Sequence, residues 1–262
     1  MGKAKTYTNN SSRVFFAGCT ACYRAPELVI SALALLEASK IEFSIMPDEI
    51  CCGYPLYALG YVQDGYELAR RNIEMLKKRG AKEIITLCPS CSLTFKTFYR
   101  QDFPDFNIQV KHILEVLKPK IAVSGLSLTI HDPCHVDEEV VKIAWKALEG
   151  CKVWKSAKPC CGAPLLSHHP ETAVEIAQQI MGAKRGRYMT TYCPSCYLTL
   201  SSVEPDKVID LYTLLRAQSK DDIKQLKEWV AGLPALARSL RRRRLTPKSV
   251  STPPEDDDLP KT

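Results

Sequence analysis

The sequence predicts an α/β protein of two pseudo-symmetric repeats, each a small, mostly parallel sheet flanked by helices, with a C-terminal amphipathic helix and a flexible tail. Three observations carry this. Ten of the twelve cysteines fall into two copies of one pattern: a lone Cys, a vicinal Cys-Cys-Gly, then Cys-Pro-Ser-Cys. Short apolar runs alternate with helical patterns in the same order around both copies. Hydrophobic residues at 45% and charged residues at 25% describe a globular chain and not a disordered one.

The elements follow in order. Val14–Ala17 and Leu128–Ile130 read as short buried strands, leading into Gly18-Cys19 and His131-Asp132-Pro133-Cys134. Helical spacing follows each: Leu28, Leu35 and Leu36 after a first-turn Pro26, and Val140, Val141, Ala144 and Leu148 in the second half. The vicinal pairs open Cys51-Cys52-Gly53-Tyr54-Pro55-Leu56 and Cys160-Cys161-Gly162-Ala163-Pro164-Leu165. Gly53 and Gly162 let the backbone take positive φ and approach a bulky group, while Pro55 and Pro164 stiffen the loops. Amphipathic helices are expected at about Val62–Arg79 and Glu171–Lys184. Strands at Glu83–Leu87 and Arg187–Tyr192 then run into Cys88-Pro89-Ser90-Cys91 and Cys193-Pro194-Ser195-Cys196. Apolar patterns at Gln109–Leu117 and Lys207–Leu215 close the halves. Strand–helix alternation of this kind implies parallel sheets covered by helices. In such sheets ligands sit beyond the carboxyl ends of the strands, where all ten cysteines fall.

The divisions expected are a flexible 1–12, a first repeat at 13–120, a second at 121–216, a basic amphipathic segment at 217–245 and a disordered tail at 246–262. Residues 220–245 carry Ile223, Leu226, Val230, Leu233, Ala237 and Leu240 at helical spacing, followed by Arg241-Arg242-Arg243-Arg244. That pattern suits a helix lying on an anionic membrane surface or packed on a partner. Much of the net charge of +7 resides in this segment. The body carries no basic stripe interleaved with aromatics, so nucleic acid is not an expected partner.

Three chemistries compete for the cysteines. A disulfide framework needs an oxidising compartment, but Met1 to Ser12 is polar and lacks the apolar run of a secretory signal, so a cytoplasmic location is expected. Zinc takes four ligands, commonly as two close pairs. Five soft ligands per half overshoot zinc and suit an iron–sulfur cluster. Vicinal cysteines do not readily chelate one iron but can reach two irons of a larger cluster. Cys22 and Cys151 have no counterparts in the other half and read as structural thiols. His131 and His135, flanking Cys134, are candidates for proton donation or for tuning a cluster by hydrogen bonds to its sulfur; His168 and His169 are weaker ones. No phosphate-cradling loop, zinc-peptidase motif or dinucleotide fingerprint occurs, so nicotinamide or flavin chemistry belongs to a partner.

At these residues, over about 13–215, the chain resembles the cysteine-rich CCG family, which includes the B- and D-type subunits of heterodisulfide reductase and iron–sulfur subunits of several dehydrogenases. The resemblance implies two [4Fe–4S] clusters of a non-cubane type. One would be held by Cys19, Cys51, Cys52, Cys88 and Cys91, the other by Cys134, Cys160, Cys161, Cys193 and Cys196. The first half has the family spacing, with 31 residues between Cys19 and Cys51 and 35 between Cys52 and Cys88. The second is shorter, at 25 and 31, which leaves its cluster type open.

The function expected from the resemblance is that of an oxidoreductase subunit in a heterodisulfide-reductase-like complex. It would deliver electrons through two clusters to a disulfide of the CoM–CoB kind. Its partners would be a ferredoxin-like iron–sulfur subunit and a flavoprotein subunit. The alternative is an electron-transfer subunit of a quinone-linked dehydrogenase of the succinate, lactate or glycolate type, peripheral on the cytoplasmic membrane face through 220–245.

Overall fold

A computed structural model describes residues 11–46, 48–223 and 225 of the chain. The first half comprises β1 (Arg13–Phe16), α1 (Cys19–Arg24), α2 (Pro26–Ala38), β2 (Ser44–Ile45), α3 (Tyr54–Ala58), α4 (Val62–Lys78), β3 (Glu83–Thr86), α5 (Pro89–Lys96), α6 (Phe98–Asp102), β4 (Gln109–His112) and α7 (Ile113–Leu117). The second comprises β5 (Ser127–Ile130), α8 (Glu138–Ala147), β6 (Lys152–Lys155), a 3-10 turn at Ala163–Ser167, α9 (Pro170–Gly182), β7 (Tyr188–Thr191), α10 (Pro194–Ser201), a 3-10 turn at Pro205–Lys207, β8 (Val208–Asp210) and α11 (Leu211–Arg216).

Each half builds one four-stranded sheet, in the orders β2-β1-β3-β4 and β6-β5-β7-β8, and every pairing is parallel. The expected repeat is therefore present in the topology. Strand alternation sorts side chains to two faces. Phe15 and Ile85 of the first sheet, and Leu128, Ile130 and Ile209 of the second, enter one core common to both halves. Between the sheets, α2, α7, α8 and α11 contribute Leu28, Leu36, Ile113, Leu114, Val140, Ala144, Leu211 and Leu214 to that core. The opposite faces pack separately: Val14, Phe16, Ile84 and Val110 with Ile73, Leu76 and Phe95, and Met189 and Val208 with Ala177, Ile180 and Leu200.

Local chemistry explains the boundaries. Pro26, Pro89, Pro170 and Pro194 sit at the first helical position, where a missing N–H costs nothing. The apolar runs closing each half split at a capping residue. His112 accepts from Leu114 N and ends β4 as α7 begins, and Asp210 accepts from Thr213 N at 2.9 Å between β8 and α11. Cys19 opens a short helix of its own, ahead of the helix that the apolar spacing after Pro26 marked. The amphipathic segment expected at 217–245 is helical at 220–223 and 225; residues 224 and 226–262, like 1–10, lie outside the described residues.

Candidate metal centre

Both cysteine sets converge. A cavity of about 410 Å³ between the halves is lined by Cys19, Cys51, Cys52, Cys88 and Cys91 from one side, and by Cys134, Cys161, Cys193 and Cys196 from the other. Cys160 completes the second set, hydrogen-bonded to Cys161 and Cys134. Each sulfur comes from a loop at the carboxyl end of a strand or from the helix start that follows. Cys88 and Cys193 cap α5 and α10, and Cys91 and Cys196 lie in their first turns. Backbone N–H groups in the opening turns of these helices point at the capping sulfurs; Cys88 is held well below the ordinary thiol range, whereas Cys193, which carries its proton against Cys88, is pushed well above it.

The spacing within each set is close. Cys19 Sγ lies 3.4 Å from Cys51 Sγ, and Cys52 and Cys88 both contact Cys91. In the second half Cys161 and Cys193 both contact Cys196. Across the halves, the Cys88 and Cys193 side chains face each other closely enough to shift each other's titration. Thiols this crowded share protons unequally. Hydrogen bonds from the Cys51 and Cys91 thiols lower Cys52 to about 5, and those from Cys193 and Cys91 hold Cys88 well below the ordinary thiol range. Cys161 is lowered in the same way by Cys160 and Cys196.

Glycine makes the close approach feasible. Gly53 and Gly162 adopt the same left-handed conformation, φ 86° in each, directly after the vicinal pair. Gly53 N lies 3.4 Å from Cys51 Sγ and Gly162 N lies 3.5 Å from Cys160 Sγ. A Cβ at Gly18, φ 87°, would stand 3.1 Å from Cys91 Sγ, in space that a side chain would take from the sulfur set. Ten soft donors with no carboxylate among the lining residues suit iron and sulfide, so the residues present fit the two iron–sulfur clusters.

The histidines separate into distinct roles. His131 is fully buried; its Nδ1 is 3.1 Å from Ser156 Oγ, its Nε2 is buried without a hydrogen-bond partner, and a ring nitrogen lies with the sulfurs of Cys161 and Cys196, all three atoms within 4.8 Å of one another. His135 crosses to the first half, with Nε2 3.0 Å from Tyr54 Oη, Nδ1 3.4 Å from Ser90 Oγ and 3.6 Å from Cys134 Sγ. His168 and His169 are exposed and do not line the cavity. Cys22 is exposed, 4.0 Å from Glu49, and Cys151 hydrogen-bonds Val123 O at 3.5 Å against the core; neither lines the cavity.

Sequence reasoning missed three participants. Tyr54 meets His135 only through the fold. Arg24 is the one permanently charged side chain among the residues lining the cavity. Glu49 accepts from Ala17 N at 2.9 Å and Gly18 N at 2.7 Å, fixing the loop before Cys19, and burial raises its carboxyl to about 7. A glutamate two residues before a Cys-Cys pair was the available hint.

Comparison with known proteins agrees with this geometry. The cysteine-rich CCG domain matches twice, at residues 13–96 and 128–201. The chain belongs to the CCG cysteine-rich domain family. One subunit of the CoM/CoB fumarate reductase of Methanothermobacter marburgensis is 29% identical over 82% of this chain and 48% of its own length. One subunit of the dihydromethanophenazine:CoB–CoM heterodisulfide reductase of Methanosarcina mazei is 28% identical over 75% and 56%. The chain thus spans about half the length of the curated relatives it matches. In fold alone, it resembles a hypothetical protein from Helicobacter pylori at a TM-score of 0.55 and 10% identity, over 84% of this chain and 52% of that one.

Proposed function

We propose that this protein is the iron–sulfur redox subunit of a heterodisulfide-reductase-like complex and passes electrons through two cluster sites to a disulfide. One observation supports the reading above all: nine of the ten cysteines line a single cavity, and Cys160 lies against Cys161 of that lining. Clusters held there would supply one-electron steps, and a disulfide takes two electrons and two protons to become two thiols. The chain's residues provide the rest. The cavity leaves room for a molecule between the two sets, against an apolar lining that includes Leu59, Leu166 and Leu198. Arg24 offers a cation to an anionic substrate such as a CoM–CoB-like heterodisulfide. Tyr54 Oη and His135 Nε2 share a hydrogen bond beside Cys134 and are positioned to pass a proton to a departing sulfur. His131, behind Cys161 and Cys196, is placed to donate from Nε2 to sulfur of the second site and raise its potential.

Electrons would come from a ferredoxin-like subunit and, through it, a flavoprotein subunit. Among the described residues no helix is long and apolar enough to cross a membrane. The quinone-linked alternative depends on 220–245, most of which lies outside the described residues.

Anaerobically purified protein decides between the readings. About eight irons with matching acid-labile sulfide, and a paramagnetic spectrum altered by added disulfide, support the proposal. Quinone-dependent turnover, with spectra indifferent to disulfides, supports the alternative. Colourless, iron-free and fully active protein overturns both.

A further inference from the structure

A single hydroxyl ties the two halves together at their sulfurs. Tyr212, the second residue of α11, is fully buried in the common core. Its Oη lies 3.2 Å from Leu87 O in the first half and 3.2 Å from Tyr192 O in the second. Leu87 and Tyr192 are equivalent residues, each immediately before the cysteine that caps its helix, Cys88 or Cys193.

The peptide plane carries this contact to the sulfurs. A carbonyl oxygen shares a rigid plane with the nitrogen and Cα of the next residue, so holding the Leu87 and Tyr192 oxygens side by side restricts how far apart the Cα atoms of Cys88 and Cys193 can lie. Those residues begin α5 and α10, which carry Cys91 and Cys196, so four cysteines are set from one point. For Tyr192 O the hydroxyl is the hydrogen-bond donor the structure gives, but Leu87 O does not need it. Leu87 O already accepts from His112 Nε2 at 3.1 Å, while His112 Nδ1 accepts from Leu114 N at 3.4 Å. The distinctive effect of the hydroxyl is to hold that carbonyl beside its counterpart. The clamp is also one-sided: two residues after the cap in the first half stands Leu114, which has no hydroxyl.

From this geometry we infer that Tyr212 is a positioning residue that sets the separation of Cys88 from Cys193, and with it the separation of the two metal sites. The part concerning metal rests on the proposed two-cluster reading; the part concerning sulfur does not.

The test uses Tyr212→Phe, which keeps the ring and removes the clamp, with Ile85→Val as a core-thinning control that leaves the hydrogen bonds to both carbonyls in place. In the first arm, metal-free full-length protein is treated briefly with diamide, which takes two electrons and two protons from each thiol pair it joins. Peptide mapping then gives the ratio of the cross-half Cys88–Cys193 linkage to the within-half Cys19–Cys51 linkage. The ratio should fall several-fold in Tyr212→Phe and stay unchanged in Ile85→Val. In the second arm, reduced metal-loaded protein should keep its iron content in Tyr212→Phe but show an altered spin–spin splitting between the sites. An unchanged ratio in Tyr212→Phe, or an equal fall in Ile85→Val, overturns the inference. If wild-type protein takes up no iron, the two-cluster reading fails and the first arm still decides the clamp.

Discussion

Phe16 and His131 occupy equivalent places, three residues before Cys19 and Cys134, yet they give the two halves different interiors. Phe16 packs edge-on against Phe95 with ring centroids 4.9 Å apart, leaving the first sulfur set against hydrocarbon. His131 brings a buried imidazole to Cys161 and Cys196. The loops between differ as well. In the first half Glu49 gathers the free N–H groups of Ala17 and Gly18. In the second, Pro133 replaces Gly18 and removes one of those donors, and Asp132 is held by Trp145 Nε1 and Tyr192 Oη, both at 3.1 Å. Duplication has kept the sulfurs while their surroundings diverged. Two sites with like ligands and unlike dielectric and hydrogen bonding should differ in potential.

The most severe test of this comparison removes one sulfur set at a time. Cys52→Ala and Cys161→Ala should each lose one cluster, so that iron falls from about eight to about four per chain. Loss of all iron from either variant would show that the halves do not load separately.

Next come the residues that cap the closing helices, which titrate in opposite senses. Burial lowers His112 to about 4, so the unfolded chain binds more protons than the folded one between that value and about 6.5. His112 therefore costs the metal-free protein stability as pH falls through this window, on the order of 3 kcal/mol in full. Burial raises Asp210, whose folded form holds its proton longer, so its contribution declines as pH rises above the ordinary carboxylate range. Denaturant midpoints measured against pH in His112→Gln and Asp210→Asn should lose these opposite slopes; parallel behaviour would break the distinction.

Gly53→Ala and Gly162→Ala should each cost roughly 1–2 kcal/mol for left-handed backbone. The second should cost more, because a Cβ at Gly162 would stand 3.1 Å from Ala173 O, whereas the nearest atom to one at Gly53 is Gly65 O at 3.4 Å. Equal losses in thermal or denaturant unfolding would contradict that ranking.

The finest contrast is electronic. His131→Phe makes the second interior resemble the first and should lower only the second site's potential in a spectroscopic redox titration. A matching shift at the first site would assign the effect to general disturbance.

Much of this was legible in sequence because the decisive signals are local. Apolar runs ending at cysteines located β1, β3, β5 and β7, and the Gly after each vicinal pair marked the left-handed turns. Two of the four edge strands were hard to read: β2 has two residues, and β6 is Lys-Val-Trp-Lys, with both lysines exposed. The runs at 109–117 and 207–215 kept one apolar texture through a strand and a helix, hiding the change at His112 and Asp210. Contacts such as Tyr54 with His135, or Tyr212 with Leu87, join residues 81 and 125 positions apart and leave no trace in local periodicity.

The uneven burial of the sulfurs gives assembly a direction. Cys52, Cys88, Cys91, Cys161, Cys193 and Cys196 are all less than a tenth exposed, whereas Cys19, Cys51, Cys134 and Cys160 remain within reach of solvent. A donor delivering iron to the closed protein would first meet this outer ring and hand its cargo inward. Any reagent arriving from solvent meets these four thiols before the six beneath them.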